Sequence, residues 1–268
     1  MSYIIGSFNA RSLRTCSPSQ LARIILEEQY DILALQELKS PNALRSLLKH
    51  NLPNYYEGSN DEQMWEYGYI WNSKRFIECS KEGRPDVFNQ YCSPNQLVRN
   101  PYYGRFTPCG LLGGAFFEIR LVNIHLHHGG NDSSINLLTR IQEFKTVTGN
   151  IYDTISKKRY GNNMPAYTII LGDYNLCCVI CEQQRETSIT YLAETEQVDK
   201  TTLSSTKDEL VNDYDHISYS KQRFEGTEIT VQRVDTISKY TNGSFEQHRK
   251  EISDHVPIKL ELSLNPRR

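Results

Sequence analysis

Asn9, Glu37, His125, Asp173, Asn175, Asp215 and the pair Asp254-His255 each stand at or beside the end of an apolar stretch of this 268-residue chain. The closing example is "EISDHVPIKLEL" (251–262), an acid and a histidine at the mouth of an alternating run of Val256, Ile258, Leu260 and Leu262. Buried singly, such groups lose their hydration without compensation. Gathered on one rim, carboxylates, amides and imidazoles can be solvated together by a metal ion and a phosphate. Each residue alone also reads as a turn or a cap. Eight at once are harder to explain that way.

Other chemistries find less support. "HLHHGGND" (125–132) follows a strand with histidines but departs from the HxHxDH zinc signature: Gly129 stands in place of the aspartate and Gly130 in place of the last histidine. There is no G-x-S-x-G elbow, P-loop, GxGxxG fingerprint or EF-hand. The formal net charge of −2 excludes a wholly basic nucleic-acid surface and leaves room for a local basic rim. The seven cysteines are an odd number, three of them crowded into "LCCVIC" (176–181), with no CxxC pair recurring at zinc spacing. Free thiols and a cytoplasmic location are expected. "MSYIIGSFNARS" reads as a first strand and not as a secretion signal, and no apolar run approaches the ~20 residues of a membrane span.

The elements that must position these residues follow from periodicity. Strands are expected at 3–9, 31–37, 67–73, 167–175, 214–220 and 228–234, with a hairpin within 113–127 and a last strand from Val256. A helix over 16–29 starts with Ser17 as N-cap, Pro18 at its first position and Gln20 completing a capping box. A second, over 40–50, carries Leu44, Leu47 and Leu48. A third, over 134–155, carries Leu137, Ile141, Phe144, Thr148 and Ile151 on one face. Strands separated by amphipathic helices indicate a layered α/β fold. With no internal repeat or linker, residues 1–268 are expected to form a single domain.

"SFNAR" (7–11), "LALQELK" (33–39), "VNIHLH" (122–127), "IILGDYN" (169–175), "YDHISYS" (214–220) and "ISDHVPI" (252–258) come in the order of the endonuclease/exonuclease/phosphatase superfamily, which the chain resembles over nearly its whole length. "GDYN" is similar to that family's GDxN and "SDHVP" to its SDHxP. Three details resemble the deoxyribonuclease I-like branch: Arg11 in FNxR, Arg99 at the start of "RNPYYGRF" (99–106), and Lys39 two residues after Glu37. His216 departs from the arginine found after the aspartate in deoxyribonuclease I. The segment 55–65 and the stretch after Asn175 have no clear match.

The resemblance implies a four-layered α/β/β/α sandwich of two packed mixed β-sheets, with the site on one rim. It implies a divalent-metal-dependent phosphodiesterase, foremost a DNA endonuclease, with no protein partner. Glu37, Asp254 and Asn9 would hold Mg²⁺, or alternatively Mn²⁺; hard oxygen donors with several waters suit Mg²⁺. His255, oriented by Asp215, would activate water. His125, oriented by Glu66, would contact the phosphate or protonate the leaving 3′-oxygen, and the two histidines could exchange roles. Asp173 and Asn175 would bind phosphate and metal-bound water, and Arg11, Lys39 and Arg99 would contact DNA. Two alternatives stay open: a phosphoesterase acting on a phosphoinositide, a sphingolipid head group or RNA, and a binding module that keeps the scaffold without turnover.

Overall fold

The structure, a computed structural model, describes residues 2–12, 16–60, 66–79, 96–110, 117–130, 133–160 and 164–264. The chain folds as two units, each built on its own sheet. Unit 1 takes Met1–Arg75, Val198–Asp215 and Gly226–Arg268; unit 2 takes Phe76–Gln197 and His216–Glu225.

Unit 1 contains β1 (Ser2–Asn9), β2 (Ile32–Gln36), β3 (Tyr56–Asn60), β4 (Tyr67–Asn72), β13 (Thr227–Arg233) and β14 (Ile258–Leu264), in sheet order β13-β14-β1-β2-β4-β3. β1 and β2 run parallel, crossed over by α1 (Pro18–Glu27), and β14 pairs antiparallel with β1. α1 and α2 (Pro41–His50) cover one face through Leu21, Ile24, Ile25, Leu44 and Leu47, which pack with Phe8, Leu33, Leu35 and Ile70 of the strands. Because strand side chains alternate, Ile5, Ala34 and Tyr69 turn to the opposite face, where they too are buried. A short hairpin, β10 (Thr202–Leu203) with β11 (Leu210–Asn212), and two helices, α6 (Thr236–Thr241) and α7 (Phe245–Glu251), complete the unit.

In unit 2 the order is β5-β6-β7-β8-β12-β9, from β5 (Phe76–Glu78), β6 (Tyr102–Pro108), β7 (Glu118–His125), β8 (Ala166–Asp173), β9 (Glu194–Thr195) and β12 (Asp215–Tyr219, whose first residue belongs to unit 1). β7 and β8 run parallel. Val122, Ile124 and Ile170 face a helical layer made by Phe144 of α3 (Ser134–Lys145), Val147 and Ile151 of the turn that follows it, Ile155 of α4 (Tyr152–Lys157) and Cys181 of α5 (Cys178–Thr187).

Three expectations need amending. Ser17 does not cap α1 with its hydroxyl, which bonds Ser19 Oγ at 2.9 Å instead. The capping box with Gln20 is not formed; the entry to α1 is fixed by a tertiary bond, Ser17 N–H to Glu251 O at 2.7 Å. The single helix expected over 134–155 is two α-helices joined by a π-helical turn, Thr146–Ile151. The widened turn lets Thr148 O accept from Ala193 N–H at 2.9 Å, a tertiary bond that periodicity does not reveal. Of the hairpin expected within 113–127, residues 113–116 lie outside the described residues and the rest is the single strand β7. No helix among the described residues is long and apolar enough to cross a membrane.

Candidate active site

The parallel pair β1–β2 positions the first group of candidate residues. Their register places Asn9 opposite Gln36, so Asn9 and Glu37 leave the sheet at the same edge. Asn9 Nδ2 donates to Glu37 Oε1 at 3.3 Å, and Asn9 Oδ1 accepts from the Arg11 N–H at 2.9 Å. The Lys39 ammonium pairs with Glu37 Oε2, and Arg11 Nε lies 3.4 Å from Asp254 Oδ2. Below this edge Gln36 Nε2 donates to Ser7 Oγ at 3.1 Å, both residues fully buried. That bond gives the glutamine of "LALQE" a local reason.

The antiparallel β14 brings Ser253, Asp254 and His255 to the same edge, because Ser7 pairs with Ile258 and the segment before Ile258 runs past Asn9. Ser253 Oγ donates to Asn9 O at 2.7 Å and accepts from His255 N–H at 3.2 Å. His255 Nδ1 stands 2.7 Å from Asp215 Oδ2, which also accepts from Thr201 Oγ1 at 2.6 Å. The ring is 7% exposed and Asp215 1%. Donation from Nδ1 to this carboxylate fixes the tautomer, with the ring's lone pair on Nε2.

In unit 2 the parallel pair β7–β8 sets His125 opposite Asp173 in register. Both occupy the sheet face turned away from the helices, the parity of buried Leu121, Ile169 and Leu171. His125 Nε2 is 3.7 Å from Asp173 Oδ2, beyond hydrogen-bond length. Gly172, at φ +147°, allows this closeness: a Cβ there would sit 1.9 Å from Ile124 O. Asp173 Oδ1 accepts from Asn175 N–H at 2.9 Å, and Asn175 Nδ2 donates to Leu126 O at 2.9 Å. Arg99 Nη1 donates to the carbonyls of His125 and Leu126 at 3.2 and 3.4 Å.

Positive φ among non-glycine residues gathers at these edges: Arg11, Ser12, Glu37 and Lys39 in unit 1 and Asn175 in unit 2. Such conformations cost about 1–2 kcal/mol each and persist where surrounding bonds dictate them, typically at functional sites.

The structure thus brings together Asn9, Glu37, Arg11, Lys39 and Asp254, and separately Asp215 with His255, in unit 1. In unit 2 it joins His125, Asp173, Asn175 and Arg99. Glu66 directly precedes β4, and its carbonyl accepts from Leu38 N–H at 3.3 Å. His216 is fully buried, with Nε2 2.8 Å from Leu176 O and its ring edge-on to Tyr174. Sequence reasoning passed over Thr201, His248, Arg140 and Glu143. His248 is buried between Thr236 Oγ1 at 2.8 Å and Ser253 O at 2.7 Å. Burial pushes its imidazole down to about 4, although Ser253 O, Asp254 and Asp235 favour the charged form.

No protein-family model matches this sequence, and no curated protein matches it. Solved structures do. An endonuclease/exonuclease/phosphatase family protein from Bacteroides thetaiotaomicron is 15% identical and aligns over 99% of this chain and 98% of its own, with a TM-score of 0.64. TDP2 from D. rerio, complexed with a single-strand DNA product, is 16% identical over 98% of this chain and 99% of its own, at 0.63. This chain has the endonuclease/exonuclease/phosphatase fold. A mannosyl-6-phosphatase from Bacteroides thetaiotaomicron shares it, at 16% identity, 98% and 100% coverage and a TM-score of 0.59. The fold class expected from the sequence is the one observed.

On this endonuclease/exonuclease/phosphatase fold, the donors offered by Glu37, Asp254 and Asn9 are all oxygens. No group of three or more His, Cys, Asp or Glu side chains placed to hold a metal occurs among the described residues. One or two carboxylates with an amide and several waters is the donor set that Mg²⁺ favours, so the residues present fit that ion.

Proposed function

We propose that this protein is a divalent-metal-dependent phosphodiesterase that hydrolyses DNA, with residues 1–268 acting as one catalytic domain. The observation that carries the reading is the buried Asp215–His255 pair at 2.7 Å, in which an Nδ1–H held by the carboxylate puts the ring's lone pair on Nε2. In this reading His255 takes the proton of the attacking water at Nε2, and Asp215 stabilises the imidazolium that forms. Glu37, Asp254 and Asn9 hold Mg²⁺, or Mn²⁺ in its place, which when bound spreads the charge developing on the phosphoryl oxygens. Asp173 and Asn175 orient the phosphate. His125, with Glu66 as its acid, contacts the phosphate or gives a proton to the leaving 3′-oxygen. Arg11, Lys39 and Arg99 meet the DNA backbone, where cations dominate affinity. The likeness to TDP2 bound to a DNA product supports a nucleic-acid substrate.

A second reading has its own observation. Lys39 is paired with Glu37, Arg11 stands against Asp254, and Arg99 spans two backbone carbonyls. Cations so engaged favour a small phosphoester, and the likeness to a mannosyl-6-phosphatase points the same way.

The test is nicking of supercoiled plasmid with Mg²⁺ or Mn²⁺, against a chelator and a His255→Ala variant. Nicking lost in both controls supports the DNase reading. Intact protein that leaves plasmid untouched but turns over a phosphomonoester supports the second, and turnover of RNA alone overturns both. Nicking that survives His255→Ala removes His255 from the mechanism.

A further inference from the structure

α3 carries two charged residues where its apolar face should be. Arg140 is 2% exposed and Glu143 2%, one turn apart and beside fully buried Phe144. Charged side chains are almost never buried this deeply unless something specific satisfies them. Here their contacts run to the backbone of the loops that carry the chemistry of unit 2. Glu143 Oε1 accepts from Val98 N–H and Oε2 from His127 N–H, each at 2.7 Å. Arg140 Nη1 donates to Asn175 O at 2.7 Å.

The three anchored points are telling. Val98 precedes Arg99, His127 lies two residues after His125, and Asn175 ends the "GDYN" segment with Asp173. The loops are also cross-tied to one another, since Arg99 and Asn175 both bond Leu126 O. A helix is the stiffest element available to hold them. Bonds from a charged group to backbone amides are roughly twice as strong as neutral ones, and two acceptors on one carboxyl lock two loops to a single point. A neutral, apolar α3 would pack equally well on the sheet while leaving these loops unanchored.

We propose that Arg140 and Glu143 are positioning residues that set the placement of His125, Asp173, Asn175 and Arg99 for phosphoester hydrolysis. The proposal rests on the phosphoesterase reading for its kinetics, though not for its geometry. Three variants test it. Glu143→Gln keeps the shape but turns an NH₂ toward one backbone N–H, releasing one loop. Arg140→Lys keeps the charge but shortens the reach to Asn175 O. Phe144→Leu loosens the same helix and its packing on Tyr174 but leaves every hydrogen bond from α3 to the loops in place.

Turnover and the histidine ring signals in ¹H–¹⁵N spectra are measured for each, with Tm as the stability reference. Glu143→Gln is expected to lower kcat/KM roughly 10- to 100-fold, the scale of a small misplacement of reacting groups. It is expected to move the His125 ring signals while those of His255 stay in place. Phe144→Leu at equal Tm loss is expected to do neither. If Glu143→Gln and Phe144→Leu give the same kinetic loss and the same spectra, α3 has only a structural role and the proposal is wrong. If Glu143→Gln does not fold, Arg140→Lys carries the same comparison through the signals of Asn175 and His125. If the intact protein turns over no phosphoester, the functional reading falls, and the ring signals still decide whether α3 holds the loops.

Discussion

His255 and His125 each sit at a sheet edge with an acid close by, yet they are held differently. His255 has its acid at 2.7 Å, and that acid is itself fixed by Thr201. His125 has an acid at 3.7 Å, and its place is set through backbone: Arg99 on its carbonyl, and Glu143 on the amide of His127. A short bond from Nδ1 to a carboxylate prepares an imidazole to accept a proton, and main-chain ties of this kind fix the place of the loop that carries a ring. The short Asp215 bond suits His255 to the role of base that the proposed mechanism gives it.

The largest effects should fall on the tighter pair. His255→Ala and Asp215→Asn are each expected to lower kcat roughly 10³- to 10⁴-fold, the range seen when a base or its orienting acid is lost. Glu66→Gln is expected to cost far less, about 10-fold, as general acid–base assistance is only partly removed. Steady-state kinetics on whichever phosphoester turns over would check this. Equal losses in Glu66→Gln and Asp215→Asn would break the comparison, because both histidines would then rely on a dedicated acid.

Next comes a backbone effect confined to unit 2. Gly172→Ala sets a Cβ 1.9 Å from Ile124 O at φ +147°, so β8 must move off β7 where His125 faces Asp173. A loss of roughly 3–5 kcal/mol is expected from such a clash in a buried parallel pair. Urea unfolding measures it. Unit 1 ties its edge through Asn9, Ser253 and Gln36 side chains. A mild effect, under about 1 kcal/mol, would show that the β7–β8 edge adjusts freely.

A pH effect of about 3 kcal/mol should arise in unit 1 from His248, whose proton affinity is pushed down to about 4 by burial between α6, α7 and the Ser253 loop. Asp235 and Asp254 favour its protonation and Arg249 opposes it, and burial outweighs them. Between pH 6.5 and about 4 the unfolded chain holds a proton that the native imidazole does not, so stability falls as pH drops through that window and levels off above it. Unfolding midpoints at pH 7, 5.5 and 4.5 should show a shallower fall in His248→Asn than in the parent chain. An identical slope in both would mean that His248 is already protonated in the fold.

How legible each region was follows from the same contrast. The strand-end acids and histidines stood out because their types are costly at the end of an apolar run and their segments resemble a known order. The edge positions of Asn9, Glu37, His125 and Asp173 then followed from strand alternation and parallel pairing. Arg140 and Glu143 did not stand out. At helical spacing two charges read as a solvated face, and only tertiary contacts reveal that three loops replace the water. Thr201 and His248 were hidden for a like reason, since a lone hydroxyl or histidine carries no period. β6 was missed because "YYGRFTP" mixes aromatics with Gly, Arg and Pro, and β9–β11 because two or three residues carry no pattern. The Ser17–Gln20 box failed where a tertiary bond to Glu251 fixed the helix entry first.

Ser253→Ala should give the smallest effect and the finest distinction. The Ser253 hydroxyl donates to Asn9 O and accepts from His255 N–H, so it ties the edge of unit 1 proposed to hold metal to the proposed base. Its removal leaves a buried carbonyl and a buried amide each short of a partner, about 1–2 kcal/mol of stability. Asp215 and Thr201 are untouched, so the ring keeps its tautomer, and kcat should fall only about 3- to 10-fold, as expected for a shift in placement without loss of the base. Thermal unfolding and kinetics together check it. A loss as large as that of Asp215→Asn would mean that His255 depends on its main chain for alignment as much as on its acid.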